Sequence, residues 1–265
     1  MRRIHFIEFH DRQWFPSFLR DYITDALQFG FDRFKVYAPV APLLQCALDS
    51  TGCKTIVDMC SGGGGPWLDL SRRIASSNSA KDSSALHIYL SDKYPNLEAF
   101  QKISAASDGR IRFYPAPVDA TNVPRELKGI RTIFSTFHHF RPADARAILQ
   151  DAVDAREGVG VFEVARRAPS TIAMTCVFIL MLFIATPWMR PFRWQRLFWT
   201  YLVPVIPLVL LFDGVVSCLR TYRPEDLRKL VADLVASDYR WEIGEHGVSR
   251  APVTYLIGYP VSPKK

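Results

Sequence analysis

Residues 56–70 read IVDMCSGGGGPWLDL, a β-rich run that ends on Asp58, four consecutive glycines, and the start of a helix at Trp67. Glycine tolerates positive φ and lets backbone come close to a ligand, so such a turn can wrap a small molecule. Further along, Asp92 and Asp119 stand at the ends of two more β-rich runs, the pair His138-His139 closes a fourth, and Glu163 ends a fifth. Imidazole titrates near neutrality and suits proton removal, which makes the two histidines candidates for acceptor-side chemistry, with Glu163 as the second candidate there. Each has a plainer reading beside it. Strand-end aspartates commonly cap the next helix, and paired histidines can shape a pocket without moving a proton.

Several explanations of the glycines fail on their neighbours. A flexible linker would lack the apolar strand before and the WLDL helix after. A phosphate-binding loop closes with Gly-Lys-Ser/Thr, whereas Pro66-Trp67 stands here. A dinucleotide fingerprint would need its third glycine where Trp67 is found. Tyr89 and Lys93 match the YxxxK pair of hydride-transferring dehydrogenases in letters only, because they straddle a strand end and a turn.

The elements that must position these residues alternate. The β-rich runs at 55–58, 85–92, 111–120, 132–137 and 159–165 are separated by helical patterns, among them 67–75, 95–106 and 142–155. That alternation implies βαβ units and a parallel sheet covered on both faces. A helix over 224–237 then leads into runs at 239–246 and 254–260, joined by GVSRAP. So short a link cannot hold a crossover helix, so the last two strands form an antiparallel hairpin. SSNSAKDSS at 76–84 reads as a surface loop.

Strand, acidic residue, glycine turn and helix together resemble the first motif of the class I S-adenosylmethionine-dependent methyltransferases, Asp/Glu-x-Gly-x-Gly-x-Gly. Here it reads Asp58-Met59-Cys60-Ser61-Gly62-Gly63-Gly64, with Cys60 at the first glycine. The resemblance implies a Rossmann-like α/β fold, a seven-stranded sheet with a terminal antiparallel hairpin flanked by helices, and S-adenosyl-L-methionine as cofactor. It implies that Asp58 and the turn through Cys60, Ser61, Gly62, Gly63 and Gly64 hold the methionine end. By the same resemblance Asp92 accepts the ribose hydroxyls, Asp119 with Ala120 reads adenine, and STFHHF, including Thr136, lines the cofactor. His138, His139 and Glu163 then fall on the acceptor side, and no metal is called for. The likeness covers about residues 50–165 and 220–260.

Between Arg167 and Arg190 lie 22 uncharged residues, and 197–212 is a second uncharged run interrupted by prolines. The first is long enough to span a bilayer. The insert 168–219 is expected to be a hydrophobic helical hairpin that spans a membrane, dips into one leaflet, or packs as a soluble lid. The expected organisation is an N-terminal helical lid at 1–45, a cofactor half at 46–167, the insert, and completion of the core at 220–265. Net charge is +7 and the arginines are spread without the clusters of a nucleic-acid groove, so nucleic acid is not the expected partner. Five cysteines without a CxxC pair read as reduced intracellular thiols, and the charged start does not resemble a secretory leader. The function expected is methyl transfer to a small or lipid-like hydrophobic acceptor at a membrane, with the catalytic part in the cytoplasm. A non-catalytic membrane protein of the same fold and an NAD(P)-dependent oxidoreductase stand as alternatives, and oligomeric state is unread.

Overall fold

A computed structural model describes residues 2–12, 14–77, 86–190, 192–235, 238–247 and 252–261. Its helices are α1 (Ser17–Phe34), α2 (Val40–Thr51), α3 (Trp67–Ser77), α4 (Leu97–Ala105), α5 (Pro142–Asp154), α6 (Pro169–Ala185), α7 (Trp194–Leu197), α8 (Val205–Arg220) and α9 (Pro224–Ala232). Its strands are β1 (Thr55–Asp58), β2 (His87–Leu90), β3 (Ile111–Phe113), β4 (Ile130–Phe134), β5 (Val159–Glu163), β6 (Tyr239–His246) and β7 (Val253–Pro260). The chain divides into two compact units, Met1–Phe34 with Ala165–Thr221, and Lys35–Val164 with Tyr222–Lys265. The first therefore joins the expected insert to most of the expected 1–45 segment.

In the second unit the strands lie in the order β3-β2-β1-β4-β5-β7-β6, with the first five parallel and β7 antiparallel to both neighbours. Asp58 pairs in register with Leu90 on one side and Thr132 on the other, which puts its carboxylate at the carboxyl edge of the central strand. Strand order reverses between β1 and β4, the place where open α/β sheets bind ligands. Burial on both faces explains the near-continuous apolar runs, as in β4 and β5, whose residues are all buried. Pro142 starts α5 at its first turn, and Ala145, Ile148, Leu149 and Ala152 give it the stripe that covers the sheet.

Several expected bounds shift for physical reasons. The run at 111–120 is a strand only over Ile111–Phe113, because Pro115 and Pro117 lack the donors that a ladder needs. The chain beyond still tracks the neighbouring strand end, since Val118 N–H donates to the Asp92 carbonyl at 2.9 Å. The run expected at 132–137 is instead β4 at 130–134, followed by a 3-10 turn at Phe137–His139. The strand expected at 85–92 covers His87–Leu90, and the helix expected at 224–237 ends at Ala232. Most of the serine-rich loop at 76–84, and most of GVSRAP, lie outside the described residues.

In the first unit, Leu19, Ile23 and Ala26 of α1 pack with Leu182 of α6 and with Ile206 and Leu210 of α8. The expected hairpin is not two plain helices. A 3-10 turn at Thr186–Trp188 ends the first arm, and the second arm breaks between a π-helical turn at Phe198–Leu202 and α8, bending by 72°. Pro204 sits at that break.

At the amino end of β4, the fully buried Arg131 hydrogen-bonds Asp151 on α5. Removing one partner of a buried pair leaves the other uncompensated. Arg131→Ala should therefore cost about 3 kcal/mol of stability by urea denaturation. Replacing both, Arg131→Met with Asp151→Leu, should recover most of it.

Candidate cofactor and active site

The candidate site lies wholly within the Lys35–Val164 part of the second unit. Asp58 ends β1 with its carboxylate buried and clasped from two sides. Thr132 Oγ1 on β4 donates to Oδ1 at 2.7 Å, and Ser61 Oγ donates to Oδ2 at 2.7 Å. The same turn is tied to β2, because Ser61 N–H donates to the Ser91 carbonyl at 3.0 Å and Ser91 N–H to the Asp58 carbonyl at 2.8 Å. Burial pushes the Asp58 carboxyl up to about 7, with hydrogen bonding from Ser61 and Thr132 and the Trp67 indole pulling the other way. At neutral pH it is poised between charged and neutral, and a cation beside it would favour the charged form.

The turn itself carries the geometry that the sequence pattern asks for. Cys60, Gly62 and Gly64 have φ of +58°, +52° and +109°, at the three positions where the motif places glycine. Cys60 thus adopts a left-handed conformation that costs a side-chain-bearing residue about 1–2 kcal/mol. Burial, and then the charges of Asp92, Asp58 and Asp119, push its thiol pKa up, so it is no thiolate. A Cβ on Gly62 would meet nothing within 4 Å, so the turn opens there onto free space. One on Gly64 would strike Ile103 Cδ1 at 1.8 Å, which ties that glycine to packing against α4.

Asp92 lies two residues past β2, and its carboxylate bridges back to the turn. Gly62 N–H donates to Oδ2 and Tyr94 N–H to Oδ1, both at 2.9 Å. Each oxygen keeps a second lone pair, enough for two further hydroxyl donors. Asp119 sits beyond β3 in the proline-bearing segment rather than at a strand end. Lys93 Nζ donates to its Oδ2 at 2.8 Å and Thr121 to Oδ1 through both N–H and hydroxyl, and these bonds lower its carboxyl to about 2. That leaves Asp119 one accepting position on Oδ2. Ala120 is buried in the core beside it, and Gly63 lies within the glycine turn.

On the other side of the switch point, Glu163 and His138 form a buried pair. Oε1 accepts the His138 backbone N–H at 3.0 Å, and Oε2 lies 2.8 Å from Nδ1. A carboxylate there accepts from Nδ1–H, which makes Nε2 the basic nitrogen. The His139 ring lies beside that of His138, tilted by 35° with centroids 4.3 Å apart. Thr136 precedes this turn, its hydroxyl donating to the Phe134 carbonyl at 3.0 Å. Ser135, the first residue of STFHHF, has φ of +45°, and the sequence reading missed its partner Tyr37, whose hydroxyl donates to Ser135 Oγ. Burial, and more weakly the charges of Glu163 and Asp58, push the Tyr37 hydroxyl pKa well up, so it stays a neutral donor. Phe134 lies edge-on to both Tyr37 and Trp67, closing an aromatic floor. No spacing rule links Tyr37 to Ser135, although a small residue at a strand end was visible.

Among solved structures the chain is similar to the plantazolicin methyltransferase BpumL in complex with SAH, with a TM-score of 0.57 at 9% identity over 93% of this chain and 92% of that one. The fold is the methyltransferase fold. A second likeness is the S-adenosylmethionine-dependent methyltransferase SibL in its apo form, TM-score 0.51 at 16% identity over 84% of this chain. This chain spans 55% of SibL, little more than half its length. A third is the methyltransferase domain of bacterial CtHen1-CN, TM-score 0.50 at 13% identity over 84% of this chain and 99% of that one. No family model matches, and no curated protein matches.

Two outcomes follow from the turn. Asp58 moves from its ordinary 3.8 to about 7 on folding, so the folded state binds the extra proton between those values. Stability of the ligand-free protein should fall as pH rises through that window and level off above it. Urea midpoints measured across the range should show this slope, and Asp58→Asn should flatten it. Gly64→Ala should destabilise by roughly 2 kcal/mol or more, since both the positive φ and the contact with Ile103 oppose a methyl group.

Proposed function

We propose that the chain is an S-adenosylmethionine-dependent methyltransferase that works at a membrane on a small or lipid-like hydrophobic acceptor. The observation that carries this reading is the turn after β1. Positive φ falls on Cys60, Gly62 and Gly64, open space adjoins Gly62, and Asp58 and Asp92 flank it from adjacent strand ends. Asp58 holds the cationic methionine end, and residues 60–64 approach it through backbone. Asp92 takes the ribose hydroxyls, Asp119 and Ala120 meet the adenine, and Thr136 closes the other side. The bound cofactor supplies an electrophilic methyl carbon, so the protein's task is alignment and exclusion of water. Phe134 and Trp67 keep that floor dry. His138 takes the acceptor proton at Nε2, with Glu163 fixing its ring, and His139 packs beside it.

The domain reading is part of the same proposal. Residues 46–167 and 220–265 form the cofactor-binding core, while 168–219 attach the chain to a membrane whose cytoplasmic side holds the core. The long apolar α6 and the number of exposed apolar side chains in the Ala165–Thr221 segment support that attachment. The fold also serves non-catalytic binders, which would take the cofactor without transferring its methyl group.

Calorimetric titration tests the assignment with S-adenosylmethionine, its demethylated product and NAD. The first two should bind and NAD should not, and the reverse order would overturn the reading. Asp92→Ala should weaken both by at least tenfold with the fold intact by circular dichroism. Affinity for the methyl donor should rise with pH through about 7 as Asp58 ionises, and Asp58→Asn should remove that rise. Once an acceptor is in hand, His138→Ala should lower kcat by about a hundredfold and leave cofactor affinity unchanged.

A further inference from the structure

The apolar surface of the first unit is large, and its distribution says how a membrane would meet it. Helix α6 is apolar all round, with only one side covered. Ile179 and Leu182 face α1 and α8, and the approach is close enough that a Cβ on Gly30 of α1 would lie 2.2 Å from the Phe178 ring. Away from that side, Leu180, Ile184, Trp188, Trp194 and Leu202 are 64–73% exposed. Monomeric soluble proteins rarely leave so many large apolar side chains together in water.

Two facts decide against crossing the bilayer. The segment leaves β5 at Glu163 and returns at Tyr222 to the same unit, so crossings must come in pairs. Helix α6 with its 3-10 extension, at 20 residues, could make one. The second arm, Trp194–Leu202 with Val205–Arg220, is long and apolar enough only when both pieces are taken together, and it bends by 72° between them. Its uninterrupted apolar part, Val205–Phe212, is about 12 Å long against a hydrocarbon core of about 30 Å. Beyond it, α8 carries Asp213, whose carboxylate accepts the backbone N–H of Phe9 and His10 at 2.8 and 3.0 Å. It also carries Arg220, ion-paired to both Glu8 and Asp11 at 2.9 Å. An irregular segment runs alongside, with Ile4 N–H donating to the Leu219 carbonyl at 3.1 Å. Irregular, charged backbone does not lie against lipid tails. Before the bend, Arg196 is buried in an ion pair with Asp25 of α1 at 3.3 Å.

Charge indicates which surface is met. Between Ala165 and Thr221 there are six arginines and one carboxylate, Asp213; Arg167, Arg196 and Arg220 are buried, which leaves Arg166, Arg190 and Arg193 to face a surface. Arg190 is exposed between Trp188 and Trp194, and Arg193 lies over the Tyr22 ring at 5.8 Å. Aromatic side chains beside arginine suit the headgroup level, and arginine there favours anionic lipid. Resting on the membrane attachment proposed above, we infer that the first unit docks into one leaflet of an anionic bilayer without spanning it. The tryptophans sit at the headgroups, and Leu180, Ile184 and Leu202 enter the acyl layer.

The test uses the full chain and preformed vesicles, either phosphatidylcholine alone or equal parts phosphatidylcholine and phosphatidylglycerol. Added without detergent, the chain should float with the mixed vesicles more strongly than with the neutral ones. High salt should loosen it, and alkaline carbonate should release it. Arg190→Gln should weaken binding to the mixed vesicles about fivefold and leave the neutral ones unchanged. Leu180→Glu with Ile184→Glu should abolish flotation while S-adenosylmethionine titrates as before. A chain that joins vesicles only through detergent reconstitution, and then resists alkaline carbonate, would overturn the one-leaflet mode and keep membrane attachment. Failure to float under either regime would overturn attachment as well. Cofactor titration on the same preparation decides the methyltransferase reading independently.

Discussion

The clasp on the Asp58 carboxylate is what the rest of the sheet-bearing unit turns on. Ser61 and Thr132 supply one hydroxyl each, so the carboxylate joins the glycine turn to the two strands that flank the switch in strand order. A buried carboxylate with so few donors carries a desolvation cost, which a proton held near neutrality relieves and a cation beside it would relieve equally. The same logic extends outward. Asp92 reaches back to Gly62, so the neighbouring strand end and the turn share one network.

Opposite this acidic side stands a group with a different character. His138 and Glu163 are bonded twice, through ring and backbone, and so are fixed before anything binds. The turn is held by backbone at positive φ, whereas the dyad is held by paired side chains. Both hang on carboxyl ends of parallel strands. The sheet separates them and also keeps them in register.

Much of this could be read from the residues. TIVD and the hairpin strand at 239–246 fall where local pattern puts them, because apolar period and turn residues agree there. The three positive-φ positions were written in the spacing of the motif, and even Cys60 obeys the spacing that its side chain opposes. Asp119 was harder, since two prolines end the strand early and Lys93, 26 residues away in sequence, takes part of the carboxylate. Ser135 and Tyr37 meet across 98 residues and leave no periodic trace. The insert was legible as apolar and uncharged. What could not be read was its polar lining, because Arg196 finds Asp25 and Arg220 finds Glu8 only through long-range packing.

That long-range packing sets an order of events during synthesis. Helix α1 and the segment before it are made first, yet their partners α6 and α8 begin at Pro169 and Val205. Chains grow from the N-terminus, and contacts between distant segments must await loop closure. Through that interval α1 carries an apolar face with nothing of its own unit to cover it, while the strands up to β5 emerge. The apolar face of α1 is therefore completed only when α6 and α8, more than 130 residues later in the chain, reach it.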